Sequence, residues 1–415
     1  RDVERSRGLG DVYKRQELRE GYAQTELGSF PADWVIERLG SLVEPTRSIR
    51  YGIVQPGKYD PDGRYMIRGQ DYSEAKGWAN PADVFRVGAA IEERYRNARV
   101  RAGDLLMTIV GYCGHVEEVP AWLDGANLTQ TTARIAIDDG RADSVFCKYM
   151  LQSKIGASQV AGSLKGAAQP GLNCGDIEKF LVPLPTRRAE QRAIAEALSD
   201  VDALLSGLDR LIAKKRDLKR AAMQQLLTGQ TRLPGFHGEW VVTTFAQTVR
   251  HQSGNSTLIK GKLSAEPAVG LYPGFSASGQ DVWCDHFDYE GDAVIVSAVG
   301  SRCGKAFMAA GRWCAIANTH VIWSIPSKID LHFLGFFIND ESFWLKSGSG
   351  QPFVLFKQTF AKTLRLPPIP EQTAIGQVLS DLDAELAVLE ARREKTRQLK
   401  QGMMQELLTG RTRLV

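Results

Sequence analysis

Several residue groups in this chain could do chemistry, and most stop short of it. Gly300, Gly304 and Lys305 follow an apolar stretch and echo a phosphate-cradling glycine loop. Their spacing is one residue short of G-x-x-x-x-G-K, and Ala306 has no hydroxyl to offer a metal, so nucleotide binding is not expected there. Asp62, Glu74 and Lys76 match the loose spacing of metal-dependent nucleases, in which two carboxylates hold a cation and a lysine assists the attacking water. Asp60-Pro61-Asp62-Gly63 is turn chemistry in its own right, so a stand-alone nuclease is kept only as the alternative. No N/D-P-P-Y/F motif and no strand-linked G-x-G for S-adenosylmethionine occurs, so the chain is not expected to methylate by itself. The six histidines show no H-E-x-x-H and no clustering, and neither a catalytic residue nor a metal ligand is assigned.

What remains is binding chemistry. Asn127, Thr129, Gln130 and Thr131 fall in one polar loop, and Asn318, Thr319 and His320 in another. Gln169 and Gln351 each precede a proline, with Lys165 and Arg302 nearby. Asn and Gln can read adenine with two hydrogen bonds, and Arg or Lys can read guanine, so these are the residue types for base contact. They are also the residues that make turns. Two basic clusters could face phosphates or simply line a solvated helix face: Lys214, Lys215, Arg216, Lys219 and Arg220, then Arg392, Arg393, Lys395, Arg397 and Lys400.

The elements that would position these residues come in duplicate. Glu190–Leu233 is repeated without a gap as Glu371–Leu414, with 24 of 44 positions identical. The copies start 181 residues apart, the period of a duplicated module rather than of a solenoid. Ile194, Leu198, Val201, Leu205, Leu208 and Ile212 step by four and three, as do Ile375, Leu379, Leu382, Leu386 and Leu389. That period predicts two long helices that pair, antiparallel, as a coiled coil. Gly229 and Gly410 stand where a C-terminal cap belongs. A fainter repeat covers the preceding segments. Phe30 and Trp34 match Phe236 and Trp240, and Gly103-Asp104 and Gly291-Asp292 each feed an apolar strand. Asn127–Thr129 aligns with Asn318-Thr319, and Pro183 to Pro185 and Pro367 to Pro370 close each segment.

Bulk properties fit this plan. Residues 1–16 carry no apolar period and are set aside as an extraneous or disordered leader. The net charge of +4 is too small to set partner preference, which must come from local patches. The cysteines (Cys113, Cys147, Cys174, Cys284, Cys303, Cys314) show no C-x-x-C, which speaks against a disulfide framework or a zinc site and for the cytoplasm. No apolar run reaches the roughly 18 residues of a membrane span.

The duplicated order, the Gln-Pro elements, the P-x-P entry into Glu-Gln and the LLTG-x-TRL endings together resemble the DNA-specificity (S) subunits of type I restriction–modification systems. The resemblance covers about residues 20–415. It implies an α+β chain with two tandem α/β target-recognition domains, at 17–185 and 233–367. Conserved spacer helices would occupy 186–232 and 368–415 and pair as an antiparallel coiled coil. It implies a non-catalytic subunit that binds a bipartite asymmetric site in double-stranded DNA and docks modification (methyltransferase) subunits, with or without restriction (nuclease/translocase) subunits. S-adenosylmethionine, ATP and magnesium would be used on those partners, and none bound here. A coiled-coil adaptor without nucleic acid is the other alternative.

Overall fold

The computed structural model describes residues 20–73, 77–166, 170–340, 342–348 and 350–414. The leader lies outside them. Contacts divide the chain into one unit of residues 1–206 with 394–415 and a second of 207–393.

The first unit contains β1 (Trp34–Arg38), β2 (Arg50–Tyr51), β3 (Tyr59–Ile67), β4 (Arg86–Val87), β5 (Leu105–Thr108), β6 (Val116–Glu118), β7 (Asn127–Leu128) and β8 (Thr132–Ile135). Helix α1 (Ser144–Gln152) and β9 (Leu181–Pro185) follow. An antiparallel sheet runs β6-β5-β8-β2, and a second runs β7-β3-β4 with β7 parallel to β3. Every side chain of β5 and β8 is buried, so these strands read as unbroken runs rather than as alternation. Strand β9 pairs with β1.

The second unit has β10 (Val241–Thr244), β11 (Val249–Ser253), β12 (Tyr272–Ser276), β13 (Gly279–Cys284), β14 (Tyr289–Glu290), β15 (Ala293–Ser297), β16 (Ala306–Ala309), β17 (Arg312–Ala315), β18 (Thr319–Ser324), α3 (Leu331–Ile338) and β19 (Thr363–Leu366). Its sheet β16-β15-β18-β11 repeats the order of the first unit, and β17 runs parallel to β12 as β7 does to β3. Cys284 and Cys314, on β13 and β17, are disulfide-bonded, contrary to the expectation drawn from the absence of C-x-x-C. Strands that bring two cysteines side by side need no short sequence motif.

The duplicated stretches form α2 (Arg188–Leu226) and α4 (Ile369–Leu407), each of 39 residues and so roughly 58 Å long at about 1.5 Å per residue. Gln191 explains why Glu-Gln opens the first. Its amide donates to the Pro185 carbonyl at 2.7 Å, and its Oε1 accepts from the N–H of Asp143 at 2.9 Å. Asp143 in turn caps α1 through the Phe146 N–H. Gln372 does the same with Pro367 and Asp330, and Asp330 caps α3. Each repeat thereby ties strand, helix and helix together.

The neighbouring glutamates are latched. Within the first unit Arg413 forks onto Glu190, which is 1% exposed, and also onto Asp33. Within the second, Arg232 forks onto Glu371, which is 0% exposed. The arginine of each LLTG-x-TRL ending thus neutralises the glutamate that opens the other copy. Gly410 has φ +69°, and a Cβ there would meet Pro31 at 2.4 Å; Gly229 has φ +72° beside Trp240. Only glycine fits these caps, because the turn is left-handed and the module's opening residues press against it.

The apolar seam divides its work. Ile194 and Leu198 sink into the first unit's core with Trp34, Phe146 and Leu407, while Ile375 and Leu379 join Phe245 and Phe333 in the second. Further along, Leu208, Ile212 and Leu386 are buried, and Val201, Leu205, Leu382 and Leu389 are half-buried. The basic clusters are largely engaged. Lys215 meets Glu385, Lys219 meets Asp383, Arg216 meets Glu390 and Arg393 meets Asp209 in the second unit; Lys400 meets Asp202 at 2.7 Å in the first. Among the described residues no helix is long and apolar enough to cross a membrane.

Candidate nucleic-acid interface

In the first unit three turns meet around a cleft of about 550 Å³. One follows β3 (Arg68, Gln70), one joins β5 to β6 (Tyr112, His115) and one joins β7 to β8 (Thr129, Gln130, Thr131). The turns are fixed by the backbone. Gln130 N–H donates to Ile53 at 3.1 Å and Thr129 N–H to Ile67 at 3.0 Å. The hydroxyls of Thr129 and Thr131 bond each other at 2.7 Å. Gly111 N–H donates to Pro170 at 3.1 Å, which draws in the segment bearing Lys165, itself paired through bridges with Gly171. Arg68 is held by Asp71, whose carboxylate is 2% exposed, and this hydrogen-bonded partner raises the guanidinium's pKa. Tyr112 stands 82% exposed at the rim. A rigid arginine, an exposed tyrosine and two glutamines around one concavity can offer hydrogen bonds and a stacking face to base edges.

The second unit carries the same construction. Gly300 N–H donates to Pro352 at 2.8 Å, as Gly111 does to Pro170. Arg302 reaches across to the Ser278 carbonyl at 2.9 Å, joining the turn after β12 to the β15–β16 turn. The glycine-loop look-alike is therefore a hairpin between two antiparallel strands and opens no helix. Asn318 has φ +68°, the one non-glycine residue with positive φ among those described. Asn and Asp adopt that conformation more readily than other side chains.

The sequence-selected residues separate cleanly. Thr129, Gln130 and Thr131 share the first cleft, with Lys165 close by and bonded to Asp176. Arg302, Asn318 and the exposed Gln351 lie on the corresponding turns of the second unit. Gln169 lies outside the described residues. Asn127 is fully buried: its amide donates to Glu92 and to the Tyr95 carbonyl, and its Oδ1 accepts from Leu128. Thr319 is buried on the Ile316 carbonyl. His320 is 7% exposed, bonded to His251 at 2.9 Å and stacked on Phe356. Burial, then repulsion from His251, pulls its pKa down to about 4.

Strand register also corrects the alignment of the two loops. Thr129 N–H bonds Ile67 as Ile316 N–H bonds Phe275, and Ile109 bonds Thr131 as Ala298 bonds Asn318. Thr131 therefore corresponds to Asn318, and Asn127 to Cys314. Arg68, Gln70, Tyr112 and His115 went unnoticed in the sequence. The R-x-x-D spacing of Arg68 and Asp71 was the one signal that could have marked the first of them.

Of the nuclease alternative, Glu74 and Lys76 lie outside the described residues. Asp62 sits inside β3, where its N–H is held by Asp60. Among the described residues no group of three His, Cys, Asp or Glu is placed to hold a metal.

Two mixed α/β units, each carrying polar turns at one end of its sheets, and two 39-residue helices define the class, and comparison with known proteins shows what it resembles. Residues 270–398 match the type I restriction modification DNA specificity domain. The chain is 25% identical over 203 residues to the EcoBI type I restriction enzyme specificity subunit of Escherichia coli, covering 48% of this chain and 42% of that protein. It is 22% identical to the putative MjaX type I restriction enzyme specificity subunit of Methanocaldococcus jannaschii, covering 95% and 97%. The S subunit of a type I restriction–modification system from M. genitalium has the same fold, with TM-score 0.62 at 17% identity over 90% of this chain and 96% of that one. The chain is thus similar, in part of its sequence and in its fold, to the specificity subunits of type I restriction–modification systems. Nothing in these relatives supports a nuclease.

Proposed function

We propose that this subunit reads a bipartite, asymmetric site in double-stranded DNA. Two target-recognition domains, 17–185 and 233–367, each take one half-site. The observation that carries this is the repeated construction with unlike contents. The same strand order and turn-to-turn hydrogen bonds recur in both units, yet the positions of Arg68, Gln70, Gln130 and Thr131 in one are taken by Ser276, Ser278, Ala317 and Asn318 in the other. Equivalent readers with different side chains suit unlike half-sites.

The spacer helices 186–232 and 368–415 pair antiparallel and set the half-site separation. Supporting this are the ion pairs between the two helices in each unit, Lys400 with Asp202 and Lys215 with Glu385, which match early residues of one helix to late residues of the other. At roughly 3.4 Å per base step, about 58 Å of helix corresponds to about 17 steps, an upper scale for that separation. Leu204, Leu211 and Leu218 recur every seventh residue on α2 and are 40–48% exposed. Methyltransferase subunits, and restriction subunits where present, dock on such outward faces and carry S-adenosylmethionine, ATP and magnesium. The complex works in the cytoplasm. Lengthening the 228–232 junction tests the division of labour: the required spacing changes and the half-site sequences stay. Changed half-site sequences would overturn it.

A further inference from the structure

A second cleft in the first unit, of about 490 Å³, is lined by Arg47, Arg50, Arg96, Arg99, Arg101 and Arg134, with Asp124 the one lining carboxylate. Most of these charges are answered. Arg47 meets Asp104 and Glu44, Arg99 meets Glu92 and Glu93, Arg96 meets Glu93 at 3.3 Å, and Arg101 meets Glu44 at 3.6 Å. Arg50 and Arg134 have no carboxylate partner among the described residues. They stand directly opposite each other on β2 and β8. Like charges in that position repel. Arg134 is 2% exposed, spends its terminal nitrogens on the carbonyls of Asn97, Arg99 and Ser48, and leaves Nε without a partner. Burial and the nearby Arg47 pull its pKa down to about 10, so it stays charged at neutral pH.

Carbonyl hydrogen bonds and the more distant Asp104 and Glu44 offset only part of the cost of burying this guanidinium, and an anion bound in the cleft offsets more of it. The second unit offers an internal comparison. Its register places Gln252 opposite Val321 at the equivalent positions, so the sheet itself does not require the arginine pair. Strand β2 leads from Arg50 to Ile53, which lines the base-facing cleft about 10 Å further along at roughly 3.3 Å per residue. That offset is on the scale of the distance from a base edge to a neighbouring backbone phosphate.

We infer that the arginine cleft is a phosphate socket, taking a phosphodiester of the bound duplex beside the bases read by the first unit. The inference rests on the DNA-binding function proposed above. Arginine forks suit phosphate oxygens, and the contact carries no sequence information. The test is fluorescence anisotropy of target and scrambled duplexes over a salt series, using the full chain with its methyltransferase subunits. Arg50→Gln and Arg101→Gln change exposed side chains and leave the core alone. The expected result is a loss of roughly threefold to tenfold on both duplexes, with the slope of log K against log salt reduced by about 0.9 per lost contact. Unchanged affinity and slope, or a loss confined to the target, overturns the socket and leaves the proposed function standing. A wild-type complex that binds neither duplex at any salt sinks both. Thermal shift with inorganic phosphate against chloride at equal ionic strength separates the sources. Stabilisation by phosphate that vanishes in Arg50→Gln, without any effect on DNA, assigns the socket to free phosphate and overturns the duplex assignment.

Discussion

At the scale of single residues, buried charge decides which side chains the fold depends on. Glu190 and Glu371 lie almost wholly out of water, and each is neutralised by one arginine. Arg413→Ala leaves Glu190 buried and unpaired. The expected cost is on the order of 2–3 kcal/mol, below the range for fully enclosed pairs because Arg413 is partly solvated. Urea unfolding measures it, and adding Glu190→Gln restores most of the loss. Arg232→Ala destabilises the second unit in the same sense. His320 sets a pH dependence. Its folded pKa lies near 4, below the ordinary 6.5, so the unfolded chain takes up a proton that the folded chain refuses. Stability therefore falls as pH drops from about 6.5 towards 4, by up to roughly 2–3 kcal/mol, and is unaffected by this group above that window. His320→Gln should flatten the fall; an unchanged profile assigns it to other groups.

Elements show how much was legible beforehand. Both long helices could be read because their apolar period, proline entry and glycine exit agree, and they end three residues before Gly229 and Gly410. The Glu-Gln and Thr-Arg-Leu signatures were visible as repeats. Their purpose was not, because the partner of each glutamate lies 139 or 223 residues away. The seam was read as wholly interhelical, whereas Ile194, Leu198, Ile375 and Leu379 are claimed by the cores. Periodicity marks which face is apolar and is silent on what covers it. The loops were harder. Asn127 and Thr319 look like base readers by type, yet buried carbonyls and a buried glutamate use their polar atoms. Type alone cannot distinguish a side chain that serves the fold from one that serves a ligand. At this scale a concrete expectation follows for the first cleft. Gln130→Ala and Gln70→Ala, both exposed on fixed turns, should relax or change one half-site in methylation assays while thermal stability stays within about 0.5 kcal/mol of the parent.

At the scale of the whole molecule, the chain holds two units of one strand order with different side chains on their turns, and a helical stretch repeated with 24 of 44 residues identical. The duplication explains why the helices share 24 of 44 residues while the turns share almost none. Structural partners such as Glu190 with Arg413 must match each other, and under the proposed function residues around the cleft need only match their half-site. Base-resolution methylome mapping tests this most directly, in a host carrying the subunit with its methyltransferase, alongside a variant in which the turn at 129–131 is replaced. The expected result is a bipartite, asymmetric motif with a fixed spacer, one half of which alone changes in the variant. A continuous motif, or a variant in which both halves change together, would contradict the assignment of one half-site to each unit.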